Sequence, residues 1–399
     1  MSFIVKTEFW FAPGRANLMG EHTDYNKGFV LPFALAQGVT AIASPRDDGL
    51  LVLRSKQIPD EPVTVSLGSL SRGSVTGWAA YPAGVAWALR TVGYVVRGAT
   101  IDVDSDLPVG AGVSSSAALE CSVALALCSL SGVSIPRPEL ASIAKRAENE
   151  FVGAPTGIID QSAALLCEEG HALLLDCRTL ETTQVPFRPA AAGVSALVID
   201  TRVTHALVAG DYAARRAECE AAARLLGVPA LGMVTDLQVL GKLKDPLLRR
   251  RARHVITDSI RARSIAAVLQ DTVFQDTVFQ DTGLQDTGLR DTDVIGAGAD
   301  KREIYPFIGE LLLEGHASLR NDCEVSWPEA DVTVEVAMEA GAYGAKMIGG
   351  GFGGSVLALI PIECVGAVRT AVTETFTARG WLPPEFLDAV PSPPARQLF

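Results

Sequence analysis

Large apolar side chains recur at helical spacing over 78–91, and 114–130 is a longer Ala-, Leu- and Ser-rich run without interior glycine or proline; both predict helices. A third helix is expected over 138–151, with Pro138 near its start and the acidic Glu139 in its first turn. Segments 39–44, 50–54 and 99–103 alternate or run apolar as strands do, and 172–176 and 196–200 are short apolar strands. From about Asp211 the pattern changes. Segments 212–226, 236–243 and 247–269 read as helices with Arg and Glu on one side, and 304–318 and 330–340 continue them. Strands at 345–348 and 355–360 flank a glycine run, and a last helix follows over 365–379. Helices and antiparallel strands segregated into two halves predict an α+β chain, with its boundary between 181 and 196.

Segment 270–294 fits neither period, reading QDTVF, QDTVF, QDTGL, QDTGL, RDTDV. Five pentads are short for a stacked repeat architecture. A duplicated surface insertion without a catalytic role is expected, with a carboxylate-lined ion site or a partner contact as alternatives.

Composition narrows the function classes. A chain of 399 residues suits two or three domains, and 48% hydrophobic with 20% charged residues is the balance of a globular protein with a substantial core. A formal net charge of −12 argues against nucleic acid and anionic membrane as partners. The seven cysteines form no CxxC pair and no zinc spacing with histidine, so buried free thiols are expected. The N-terminus lacks signal-peptide features and no apolar run is long enough for a membrane span, which makes the cytoplasm the expected location.

Three segments carry candidate chemistry. The first, 107–120, reads LPVGAGVSSSAALE after a strand and opens a helix. Gly110 and Gly112 admit a close backbone approach, and Ser114, Ser115 and Ser116 lie at a helix N-terminus, where unpaired N–H groups favour phosphate. Those hydroxyls can cap the helix, bond phosphate or ligate Mg²⁺; the GxxxxGK[ST] loop is absent. The second, 13–24, reads PGRANLMGEHTD. It crowds Arg15, Glu21, His22 and Asp24 together, suited to a polyhydroxylated ligand or to a salt-bridged surface turn. The third, 349–354, reads GGGFGG and either packs backbone to backbone or lines a cavity.

In this order and at these separations the three segments resemble the signature motifs of the GHMP kinases, and GRANLMGEHTDYNKGFVLP resembles the N-terminal signature of the galactokinase branch. Further similarity lies in GIIDQ (157–161), DYAARRAECEAAARLLGV (211–228), HASLRNDCEVSWPE (316–329) and PSPPARQL (391–398). Ala16, Lys27 and Val113 depart from the usual Val, Gly and Leu without removing a polar group, and 270–294 is foreign to the pattern.

The resemblance implies a two-domain fold: an N-terminal domain like ribosomal protein S5 domain 2 over 1–190 and a ferredoxin-like domain over 191–399, with the active site between them. It implies Mg-ATP-dependent phosphorylation of the C1 hydroxyl of galactose by a monomer. Asp160 would be the catalytic carboxylate and Arg15 its partner; an N-cap or a plain salt bridge is the alternative for Asp160. Glu21, His22, Thr23, Asp24, Gly157 and Tyr212 would hold the sugar, although Tyr212 also suits a packed aromatic. Residues 110–116 (Gly110, Ala111, Gly112, Val113, Ser114, Ser115, Ser116) would wrap the triphosphate of ATP, with Ser55 and Trp78 toward adenine. Ser116 and Glu148 would ligate Mg²⁺, unless Glu148 is a solvated helix-face charge. Other readings are a sibling kinase for galacturonate, arabinose or N-acetylgalactosamine, a sugar- and ATP-binding sensor without turnover, or a decayed paralogue.

Overall fold

The computed structural model describes residues 7–108, 110–204, 208–270 and 301–398. The pentad segment 270–294 lies outside these residues except for Gln270.

Strand β1 (Glu8–Asn17) pairs antiparallel with β3 (Pro32–Arg46), Phe9 opposite Ile42, and β3 pairs antiparallel with β6 (Gly98–Ser105). Strand β4 (Leu50–Ser55) joins β6 in parallel, and β5 (Val63–Ser66) forms the edge. Alternation decides the faces: Ala41, Ala43, Leu51, Leu53 and Ile101 point into the main core. Helices α1 (Ala80–Thr91) and α2 (Ser115–Ser131) pack there. Ala117, Ala118, Cys121 and Ala124 of α2 are small enough for it to lie close against β1 and β3.

Helix α3 (Arg137–Arg146) passes into a π-helical turn, Ala147–Val152, where one continuous helix was expected. Helix α4 (Ile159–Leu166) follows, unforeseen from the sequence. A small sheet then forms from β2 (Phe29–Val30), β7 (His171–Asp176) and β8 (Thr182–Pro186).

In the second half, β9 (Val194–Asp200), β10 (Gly344–Ile348), β11 (Ser355–Pro361) and β12 (Glu385–Asp388) form an antiparallel sheet in the order β12-β9-β11-β10, the ferredoxin-like arrangement. Both faces are covered. Leu197, Ile199, Val356 and Ala358 pack with α8 (Pro328–Glu339) and α9 (Val365–Ala378) through Val334, Val368, Val372 and Phe376. Val198, Leu357 and Leu359 instead join the main core, so the two halves share apolar contacts. The last strand, β13 (Arg396–Gln397), returns to pair with β1.

Helices α5 (Val208–Leu226) and α6 (Pro246–Leu269) enclose a third cluster that includes Cys219, Ala222, Val255 and Ile256. The helix expected over 236–243 is a 3₁₀ segment, Leu237–Lys242, with buried Leu237 and Leu240 at the three-residue spacing of that helix. Helix α7 (Lys301–Ser318) ends in a second π-helical turn, Leu319–Cys323. All seven cysteines are free thiols and only Cys364 is not buried. Among the described residues, no helix is long and apolar enough to cross a membrane.

Candidate active site

Arg15 lies on a strand, not in the loop expected over 13–24. The register of β1 against β3 shifts between Pro13 and Arg15, a bulge that re-aims the side chain. Gly14 permits it, because a Cβ there would stand 2.7 Å from both the Leu107 side chain and the Val113 carbonyl. From the bulge, Arg15 Nε donates to Asp160 Oδ1 at 2.8 Å and Nη1 donates to the Gly112 carbonyl at 2.5 Å. Burial disfavours the Arg15 charge, but Asp160 and Glu21 outweigh it and raise its pKa. Asp160 is the second residue of α4, whose N-cap is Ile158, so it caps no helix. Its side chain is 20% exposed, toward a cleft of about 410 Å³ between the two halves.

One end of the cleft is built by 20–28. The Thr23 hydroxyl holds this turn through the Gly20 and Phe29 carbonyls, and Thr23 does not line the cleft. Helix α6 supports the turn from behind: Asp258 Oδ2 accepts from Gly20 N at 3.0 Å, and His254 Nε2 donates to the Glu21 carbonyl at 2.9 Å. Lys27, where the family pattern has glycine, takes φ 58°. That left-handed conformation costs a residue with a Cβ about 1 kcal/mol.

Glu21 lines the cleft, yet both of its oxygens are engaged. Oε1 accepts from Lys346 Nζ (3.2 Å) and Gly349 N (3.1 Å), and Oε2 from Asn17 Nδ2 (2.8 Å). Asp24 is different. Its Oδ1 accepts from Tyr25 N, while the buried Oδ2 has no protein partner, and burial raises its pKa. Gly157 faces that carboxylate so closely that a Cβ would stand 1.5 Å from Oδ2.

His22 reaches the Gly350 carbonyl through Nε2 at 3.0 Å and the Tyr25 hydroxyl through Nδ1 at 2.8 Å. A carbonyl only accepts, so Nε2 carries the proton and Nδ1 accepts from Tyr25. Tyr212 of α5 packs on this ring, centroids 5.1 Å apart, and lines the cleft. Burial pushes the His22 imidazole down to about 3, and the nearby His254 acts in the same direction. A base with a lowered folded pKa is protonated first in the unfolded chain. Its contribution is therefore complete above pH ~6.5 and lost as pH falls toward ~3. Urea unfolding below pH ~6.5 is expected to lose up to about 1.4 kcal/mol per pH unit from this group. His22→Asn, a residue tolerant of the left-handed φ 61° here, is expected to flatten that slope.

The other end of the cleft holds the serine loop. Ser114, at the N-cap of α2, takes φ 62° and makes no capping bond, which excludes the helix-cap reading of its hydroxyl; its buried Oγ lacks a partner. Gly110, Gly112, Ser115 and Ser116 line the cleft with it. Ala111 and Val113 are buried in the main core, with their carbonyls accepting from the Ser355 hydroxyl and from Arg15 N. Ser116 Oγ donates to Glu148 Oε1 at 3.0 Å. Glu148 is buried on the π-helical turn and also accepts from Thr156 Oγ1 and Gln161 Nε2, so it is no solvated helix-face charge. Burial raises its pKa, and Asp160 adds to the shift. A hydroxyl and a carboxylate oxygen beside an unpartnered serine hydroxyl are hard donors that fit Mg²⁺.

The third glycine run does both things expected of it. A Cβ on Gly349 would meet the Gly112 carbonyl at 3.1 Å, and Gly349 and Gly350 line the cleft. Ser55 and Trp78 are not brought to the cleft. Tyr81, on the first turn of α1, lines it instead and was missed; its i+3 spacing from Trp78 was the available signal.

Three family models match the chain: the galactokinase galactose-binding signature over 2–45, the GHMP kinases N terminal domain over 80–168 and the GHMP kinases C terminal domain over 306–377. A galactokinase of Streptomyces coelicolor is 46% identical over 393 residues, covering 98% of this chain and 94% of that protein. A galactokinase of Mycobacterium tuberculosis is 40% identical over 372 residues, 93% of each. The crystal structure of Lactococcus lactis galactokinase complexed with galactose superposes with a TM-score of 0.86 at 29% identity, covering 98% of this chain and 95% of that one. A mevalonate kinase structure, TM-score 0.59 at 14% identity over 98% and 99% of the two chains, shares the fold.

Proposed function

The chain belongs to the galactokinase family of the GHMP kinases, ATP-dependent sugar kinases, and from that membership we propose how its cleft phosphorylates the C1 hydroxyl of galactose. One observation carries the residue assignment: the 2.8 Å contact between Arg15 and Asp160, formed across 145 positions of sequence, opens on the same cleft as Asp24, Tyr212 and the serine loop.

Asp160 takes the proton of the attacking hydroxyl, and Arg15 holds that carboxylate in place. Asp24, with an unpartnered acceptor oxygen, binds a sugar hydroxyl beside Gly157, while His22 and Tyr212 form the wall. Glu21 acts on the sugar through the loop it fixes, since its oxygens already accept from protein donors. Ser114, Ser115 and the N-terminus of α2 receive the phosphates of ATP, in the cleft that Tyr81 also lines. Ser116 and Glu148 would hold Mg²⁺, which when bound would offset the charge of the phosphate oxygens.

Purified protein incubated with Mg-ATP and a panel of sugars tests this, with ADP release and sugar 1-phosphate followed together. Galactose is expected to give both products. Binding of galactose without turnover would overturn the kinase reading, and faster turnover of galacturonate would move the substrate. Neither a sibling kinase nor a sensor is favoured, because relatives named galactokinase match nearly the whole chain.

Gly157→Ala probes the sugar end. The added methyl displaces a carboxylate arm whose Oδ2 has no protein bond to lose, and the cost to the fold is the Oδ1 bond from Tyr25 N, about 1 kcal/mol. KM for galactose is expected to rise about tenfold or more, with a thermal midpoint close to wild type. In an Asp24→Ala background the same change should add little, because the two act on one contact.

A further inference from the structure

Behind the cleft, two buried oxygens on neighbouring side chains lack partners: Glu120 Oε1 and Gln161 Oε1. The amide nitrogen of Gln161 is fully committed, donating to Glu120 Oε2 at 3.0 Å and to Glu148 Oε2 at 2.8 Å. Glu120 and Gln161 are completely buried and Glu148 is 3% exposed. Reversing the amide is no remedy, since its carbonyl oxygen would then face two carboxylates. A buried polar atom without a partner costs about 1–3 kcal/mol, and two on one bonded pair of side chains point to one missing proton.

We propose that Glu120 and Gln161 form a neutral acid–amide pair, in which Gln161 Nε2 donates to Glu120 Oε2 and a proton on Glu120 Oε1 is donated to Gln161 Oε1. One proton thereby satisfies both orphaned oxygens. The second N–H of Gln161 stays fixed on Glu148, so Glu120 and Gln161 are positioning residues that orient Glu148 without adding a second buried charge behind it. This consequence rests on Glu148 being the metal ligand; the pairing itself does not.

The net effect of the surroundings is the same. Burial pushes the Glu120 carboxyl well above the usual range, and Glu148 on the π-helical turn and Asp160 on α4 add to it, outweighing the Gln161 amide, which acts the other way. Tyr81 of α1, raised to about 12, and the buried Cys121 thiol, also raised, are neutral neighbours. Arg137, the cation that acts on Cys121, is engaged with the carbonyls of Leu165 and Ala395.

Infrared spectroscopy of the full chain labelled with ¹³C-glutamate tests the pair without any turnover. A carboxylic-acid C=O band that moves with the label should persist from about pH 6 to about pH 9, outside the range of an ordinary glutamate. It should vanish in Glu120→Gln and remain in Glu148→Gln. Absence of a labelled acid band in the wild type means that Glu120 is ionised, as it would be if a water served both oxygens, and overturns the proposal whether or not the variants fold. So does a band lost in Glu148→Gln. In kinetics, Glu120→Ala is expected to raise the Mg²⁺ concentration for half-maximal rate about tenfold. Glu120→Gln, which can still pair amide to amide, should recover most of that loss; failure to recover it would show that a charge is needed there and would overturn the pairing.

Discussion

Asp160→Asn is expected to lower kcat about 10³-fold, within the range for loss of a general base, while calorimetric affinity for galactose changes by no more than about threefold. The substitution is close to isosteric, and an Asn carbonyl oxygen still accepts from Arg15 Nε, so the 2.8 Å contact can survive. What is lost is the ability to take a proton and the negative charge opposite Arg15. Because Arg15 also donates to the Gly112 carbonyl, its guanidinium remains anchored and the serine loop stays in place. The expected signature is a collapse of kcat with binding intact. An activity within about tenfold of wild type would remove Asp160 from the proton transfer and reduce the pair to a structural ion pair.

The elements that were legible in the sequence are those whose apolar period runs unbroken. Helix α6 and strand β9 were placed to within two residues at each end because their buried positions recur at one spacing. Strand β1 was hidden because its chemistry sits inside it. Pro13, Gly14 and Arg15 read as punctuation, whereas the structure uses them as a bulge within an otherwise apolar strand. Helix α4 is only eight residues long, starts just after Gly157 and carries Asp160 in its first turn, too short a window for periodicity to declare itself. The polar cluster at 15–24 was legible as chemistry. Its division of labour was not, because this depends on partners far away in the chain: Lys346 and Gly349 engage Glu21, while Asp24 keeps a free oxygen. The supporting contacts from Asp258 and His254 were invisible for the same reason, as they join α6 to a turn more than two hundred residues earlier.

Lys346→Met gives the largest expected effect on stability, a loss of about 3–5 kcal/mol in urea unfolding at neutral pH. Lys346 is completely buried on β10, and its ammonium meets Glu21 Oε1 and the Asn17 carbonyl, both at 3.2 Å. Glu21 is itself 4% exposed, so a lone charge there is poorly hydrated. Methionine fills a similar volume without a charge, and the cost of the variant is then dominated by the carboxylate left behind. If that is the origin, Glu21→Gln in the same chain should recover part of the loss, because two neutral groups are less costly there than one unpaired ion. The pair also ties the second half of the molecule to the sugar-binding turn. Gly349 N shares the same Glu21 oxygen, and His22 reaches Gly350 beside it. The single variant is therefore expected to raise KM for galactose as well, through a loosened loop, while the double variant regains stability without regaining affinity. A double variant no more stable than Lys346→Met would show that the loss comes from packing around β10 and that the buried charge is not its source.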